Sequence, residues 1–217
     1  MCGRFVNALT IPDIRAMFAA VQTMADDAWK PTWNAAPTHQ LPVVVRAITE
    51  HRLGLMRWGW PKEFAAGIHV NAFGETAHQL KTFQESFQHR RCLIPATDFY
   101  EWVEATKQPW YFSMPEPFAI LGLWQRFVVG DKPEVRFLLL TAPPGHEVAK
   151  VHHRMSAIVS AEDGMHWLDP SLDPEHLLSP IMESQRNPVN GWEVSYQVNK
   201  VSNNHKGLLR QFGIPLF

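Results

Sequence analysis

The chain has 217 residues, of which 46% are hydrophobic and 19% charged, with a formal net charge of -1 and 2 cysteines. That length fits a single domain able to bury its own core; the near-neutral charge excludes a uniformly basic nucleic-acid coat, and so few cysteines exclude a disulfide scaffold. No apolar run reaches membrane-spanning length and no apolar signal segment opens the chain, so the expectation is a monomeric cytoplasmic protein, in a reducing compartment and away from membranes.

In chain order, residues 2–8 (CGRFVNA) read as a short strand. Ile14, Met17, Phe18 and Val21 fall at helical spacing, with Pro12 near the start and Asp13 in the first turn, which predicts a helix over 11–24. A loop through PTWNAAP leads to a strand at 42–47, and an alternating pattern gives another at 52–58. Residues 61–76 read as a long irregular loop, followed by an amphipathic helix over 76–88 marked by Leu80, Phe83 and Phe87. RCLIPATDFYEW reads as two strand pieces broken near Pro95. PWYFSMP and PFAILGLWQRFV read as strands with tight turns, EVRFLLLTAPP as the clearest core strand and HRMSAIV as another. AEDGMHWL and DPEHLLSP form short helical turns, WEVSYQV a last strand, and the terminal IPLF an apolar, packed tail. Strands dominate without regular alternation with long helices, which rejects a doubly wound parallel sheet. The reading is a single α+β domain over 1–217, with a curved antiparallel, barrel-like sheet and peripheral helices.

Cys2 carries the first chemical signal. If Met1 is removed, Cys2 holds a free α-amine and a thiol on adjacent carbons, titrating near 8 and 8.5 respectively before any perturbation. The amine can condense with an aldehyde to an imine, and the thiol can then close a five-membered thiazolidine; an internal cysteine cannot do this. The stretch alone also fits a terminal cysteine with no role. In VHHRM, His152 and His153 suit proton transfer, and alternation along a strand would put at most one of them in a pocket with Cys2. Glu101, between Tyr100 and Trp102, suits an acid or base of raised pKa, or an outward residue on a half-buried strand. Asn71 can orient a nucleophile or hold a turn, and Glu75 can begin the following helix. No CxxC or HExxH spacing, phosphate loop or GxSxG elbow occurs, so neither a metal nor another cofactor is expected.

CGRF, WNAAPT, RWGW, NAFGET, RCLIPATDFYEW, LGLW, VHHRM and VNKVSNN occur in that order along the chain. Together they resemble the SOS response-associated peptidase (SRAP) family, whose members sense abasic sites in single-stranded DNA. The resemblance implies an α+β fold with a positively charged DNA channel. It implies that Cys2 forms a thiazolidine crosslink to the ring-opened sugar, assisted by Asn71, Glu101 and His152, shielding the lesion from cleavage and error-prone bypass. It also implies crosslink reversal in some members and a peptidase-like processing of the amino terminus. Arg4, Arg57, Arg91 and Arg154 are candidate phosphate contacts, and Trp58, Trp60 and Phe73 candidate stacking platforms for bases. The chain departs from the family pattern where Phe73 replaces a usual basic residue, Ser156 a common proline and Asp98 a frequent glycine. Two rival readings remain open on the sequence: a self-processing or peptide-cleaving thiol peptidase with His152 as base, and a non-covalent single-stranded DNA-binding module with an inert Cys2.

Overall fold

A strongly curved sheet wraps on itself in this computed structural model, which describes residues 2–22, 24–61 and 67–213. The strands are β1 (Arg4–Asn7), β2 (Val21–Gln22), β3 (Thr32–Ala35), β4 (Gln40–Arg46), β5 (His51–Trp58), β6 (Asn71–Phe73), β7 (Arg91–Trp102), β8 (Pro109–Val129), β9 (Lys132–Ala142), β10 (Met155–Ser156), β11 (Ile158–Val159) and β12 (Asn190–Glu193). The helices are α1 (Ile11–Phe18), α2 (Gly74–Ala77), α3 (Lys81–His89), α4 (His146–Ala149), α5 (Ala161–Trp167) and α6 (Pro174–Glu183). The strand order is β11-β8-β9-β5-β4-β7-β1-β3, and because β7 also pairs with β8, hydrogen bonds close a ring through β7, β8, β9, β5 and β4. The result is barrel-like without being a complete barrel. Most pairings are antiparallel, as expected; β2–β5, β5–β9 and β6–β9 are parallel.

Local chemistry explains where the elements differ from expectation. Helix α1 starts as predicted, at a capping box in which the Asp13 N–H donates to Thr10 Oγ1 (3.3 Å) and the Thr10 N–H donates to Asp13 Oδ2 (2.8 Å). It stops at Ala19, whose φ of 46° is left-handed, and Val21 joins β2 beside β5, 51% exposed. The second helix is split into α2 and α3, with Leu80 extended and exposed between them. Gly74 lets α2 approach its neighbours: an added Cβ would lie 2.6 Å from Ile181 Cγ2 and 3.0 Å from the Thr141 carbonyl oxygen. The loop expected over 61–76 falls partly, and the IPLF tail wholly, outside the described residues.

Strand β7 is continuous through Pro95, which pairs with Ala119. The true irregularity comes just after it, where Thr97 faces the excursion Met114–Pro117 of β8 between the pairs Ala96↔Phe118 and Asp98↔Ser113. Such a bulge re-aims the side chains beyond it. Alternation then sends Phe99 into the apolar cluster with Phe5, Trp58, Phe112 and Phe137, and Tyr100 into a separate cluster with Val6, Tyr111 and Val198. Glu101 shares the parity of Phe99 and points inward.

The core claims several residues that the sequence reading offered to DNA. Trp58 and Trp60 are each 0% exposed, Trp58 packed on Phe5 and Phe137 and Trp60 on Phe83 and Phe127, so neither has a free face for a base. Arg91 is also buried. Its guanidinium donates to the carbonyls of Phe87 (2.8 Å), Gln88 (2.9 Å), Trp167 (2.7 Å) and Asp169 (2.7 Å), binding the ends of α3 and α5 to β7. The Phe87, Gln88 and Trp167 carbonyls lie in last turns and have no helical partner of their own, and the arginine fork satisfies them together with the Asp169 carbonyl just beyond α5. Arg91→Ala is therefore expected to lower unfolding stability by roughly 2–4 kcal/mol, with Arg91→Lys recovering only part of it. Urea denaturation checks this; an unchanged midpoint in Arg91→Ala would contradict it.

Candidate active site at the amino terminus

Strand β1 runs antiparallel to β7, with Arg4 opposite Tyr100, so the residues before β1 reach the end of β7 where Glu101 sits. Strands β6 and β10 both pair with the end of β9, Phe73 and Ser156 each opposite Thr141. This convergence places Cys2, Asn71, Glu101 and Ser156 around one point. Asn71 Nδ2 donates to the Cys2 carbonyl oxygen at 2.8 Å, fixing the residue two positions before β1. The Cys2 thiol faces Glu101 and the Ser156 hydroxyl. Cys2 is 2% exposed, Glu101 1% and Ser156 2%.

Burial sets the electrostatics. It pushes the Cys2 thiol well above its usual range; the Glu101 charge and contact add to that, and the Ser156 hydroxyl works against it. Burial also raises Glu101 from 4.5 to about 7, offset in part by the Cys2 thiol. Among the described residues neither Glu101 carboxyl oxygen has a well-directed hydrogen-bond partner; the thiol is a facing polar group rather than a strong donor, and the amino-terminal charge also acts against the upward shift. A carboxyl without donors is not held ionised, which is why burial raises its pKa toward neutrality. His152 Nδ1 lies 3.9 Å from Glu101 Oε2, and burial lowers the His152 pKa despite the backbone hydrogen bond with Arg154.

The histidines correct the expectation of opposite faces. Residues 150–154 form a turn between α4 and β10, not a strand. The two rings stack, with centroids 4.4 Å apart and planes 26° from parallel. Both line one cavity of about 240 Å³ with Glu101, Trp102, Glu104 and Lys107.

The remaining candidates divide by what they hold. Arg4 donates to Asn34 Oδ1 (2.8 Å) and to the carbonyls of Val198 (2.6 Å) and Asn199 (3.3 Å), and its guanidinium lies 5.9 Å from the centroid of the Trp102 ring. It ties β1 to the segment after β12. Arg154 makes a bidentate pair with Glu75 (2.5 and 2.7 Å) and donates to the Thr141 carbonyl (2.8 Å) and hydroxyl (3.0 Å). Burial raises the Glu75 pKa, but the hydrogen bonds and charge of Arg154 outweigh that and hold it below the usual carboxylate range. Both arginines thus act as braces of the site. Phe73 is 49% exposed with the Arg154 guanidinium 4.7 Å from its ring centroid, and it keeps an accessible aromatic surface beside Asn71. Arg57 is partly exposed, with its Nε 3.5 Å from Glu134 Oε2 and a donor on the Thr38 carbonyl at 3.0 Å. Ser156 is the site residue whose role the sequence reading missed. The signal was a hydroxyl where the family pattern has a common proline.

A family model described as "SOS response associated peptidase (SRAP)" matches residues 1–201. The chain is 29% identical to the abasic site processing protein YoqW of Bacillus subtilis, over 96% of this chain and 99% of that one. It is 27% identical to the abasic site processing protein YedK of Escherichia coli, over 97% of this chain and 99% of that one. A crystal structure of a protein from Bacteroides thetaiotaomicron shares the fold, with a TM-score of 0.83 at 19% identity, covering 97% of this chain and 99% of the other.

The Glu101 shift has a consequence for stability. Its folded pKa of about 7 exceeds the unfolded value near 4.5, so the native state binds more protons than the unfolded state between those pH values. Its contribution to stability is therefore greatest below pH 4.5 and is lost as pH rises through 7. At about 1.36 kcal/mol for each pH unit, the loss is on the order of 3 kcal/mol. Glu101→Gln, which stays neutral, should gain stability relative to the native chain between pH 5 and pH 8 in denaturant titrations. An equal difference at both pH values would contradict the assignment.

Proposed function

This chain belongs to the SOS response associated peptidase family, and on that premise we propose that it processes abasic sites in DNA by covalent capture through Cys2 once Met1 is removed. The observation that carries the reading is the meeting of the Cys2 thiol with a buried Glu101 carboxyl whose pKa is raised to about 7, while Asn71 holds the Cys2 carbonyl. A carboxyl poised at neutral pH can take a proton in one step and return it in the next.

The chemistry follows in balanced steps. An abasic sugar is mostly a closed hemiacetal. His152, kept neutral by burial, takes the proton from the anomeric hydroxyl and returns it to the ring oxygen as the C1–O4 bond breaks, leaving the open aldehyde. The α-amine leads, because its ordinary pKa near 8 leaves part of it unprotonated while burial holds the thiol in its S–H form. The amine adds to the aldehyde carbon, and Glu101 in its acid form protonates the carbinolamine hydroxyl, which departs as water to give an iminium. The thiol then adds to the iminium carbon and its proton passes to the Glu101 carboxylate. A thiazolidine results, with Glu101 back in its acid form. Reversal runs the same steps backward. Placement supplies most of the rate, since the aldehyde is already electrophilic. The target is single-stranded DNA containing the lesion, which the adduct would shield during the damage response; Phe73 offers a stacking surface beside the site and Arg57 a partly exposed cation.

The test uses the full chain, with Met1 removal confirmed by intact mass, and an abasic single-stranded oligonucleotide. A denaturation-resistant adduct is expected, absent in Cys2→Ala. Cys2→Ser should give only an imine that needs borohydride to survive denaturation. Reversible binding alone, unaffected by Cys2→Ala, would overturn the proposal in favour of a non-covalent module. Asn71→Ala, which frees the reacting residue, is expected to slow capture about 10- to 100-fold without abolishing it, measured by single-turnover gel kinetics; an unchanged rate would contradict the positioning role.

A further inference from the structure

The side chains of Glu101 and His152 are 1% and 7% exposed, and both line the same cavity. The same cavity is lined by a second, exposed pair that repeats the first. His153 Nδ1 lies 4.0 Å from Glu104 Oε2, with side-chain exposures of 65% and 78%, just as His152 Nδ1 lies 3.9 Å from Glu101 Oε2. The stacked imidazoles join the two pairs.

We propose that His153 and Glu104 are positioning residues that set the proton occupancy of His152 through the stacked rings, without touching the sugar. The consequence for capture rests on the reading of His152 as the proton carrier; the coupling between the rings does not. A positive His153 opposes a second positive ring stacked on it, and a negative Glu104 favours one. Charged and titratable groups that also face His152 include Glu101 from β7, Lys107 from the turn after it, the amino-terminal charge, and Arg154 beside it in the chain. His153 and the amino terminus lower the His152 pKa and Glu104 raises it. The geometry at Nδ1 suits a ring that changes state in place. It lies 3.0 Å from the Arg154 backbone N–H, from which it accepts when Nδ1 is unprotonated, and 2.9 Å from the Arg154 carbonyl, to which it donates when Nδ1 carries a proton, as it must in the charged ring.

The experiment follows the ring signals of His152 by NMR through a pH titration of the full chain, assigned with His152→Gln. His153→Gln removes the neighbouring charge and His153→Lys makes it permanent. His152 should titrate at higher pH in His153→Gln than in His153→Lys, and adding Glu104→Gln to His153→Gln should bring it down again. Both positions are exposed, so the variants keep the fold. Identical His152 titrations in the Gln and Lys variants would overturn the proposal. The acid limb of the capture rate, read on the abasic oligonucleotide, should move in the same order. If the NMR order holds and the limb does not move, the coupling stands and His152 is not the carrier during capture.

Discussion

The site depends on one constraint: a carboxyl group is held buried at the end of β7 with no well-directed donor among the described residues to ionise it. Everything near Glu101 takes its character from that burial. The thiol beside it stays protonated, because a thiolate would face both low polarity and a negative neighbour. The imidazole 3.9 Å away stays neutral for want of solvent. Water-exposed versions of the same three groups would each ionise according to its own reference value. Here their proton states are linked, and a proton moved by one is felt by the others.

The fold reaches this arrangement by bringing distant chain segments to one sheet end. The β1–β7 register delivers Cys2 to Glu101, and the two short strands on β9 deliver Asn71 and Ser156. Braces then fix the junction: Arg154 binds Glu75 at the start of α2 to Thr141 on β9, and Arg4 binds β1 to Asn34 and to the Val198–Asn199 carbonyls. Residues that look like phosphate ligands in a list of motifs are thus spent on architecture. The replacement of a usual basic residue by Phe73 adds to this. Arg154 pairs with Glu75 and lies over the Phe73 ring, so the site offers aromatic surface where a free cation might have been expected.

The groups that meet at the candidate site were legible in the sequence as candidates, each open to an ordinary structural reading by itself and singled out together by the ordered motifs: a cysteine at position 2, a glutamate between aromatics, a histidine pair before a strand. The fold class was legible from the density of strands without regular helices. What escaped was decided by tertiary contacts that leave no local mark. Val21 has helical spacing yet joins a strand, because Ala19 turns left-handed before it. Pro95 looked like a break, yet β7 runs through it and bulges beyond it. Trp58, Trp60 and Arg91 looked available, yet an aromatic or an arginine in a strand gives no sign of which face will close over it. Parity arguments placed the two histidines apart because they assumed a strand; the turn made them neighbours.

The central claim is that Glu101 changes proton state near neutral pH within the folded chain. Infrared difference spectroscopy between acidic and alkaline samples, with Glu101→Gln subtracted, reads it directly. The account predicts a protonated-carboxyl band, absent in the variant, that disappears with a midpoint near pH 7. A Glu101 signal already fully ionised at pH 5 would contradict it.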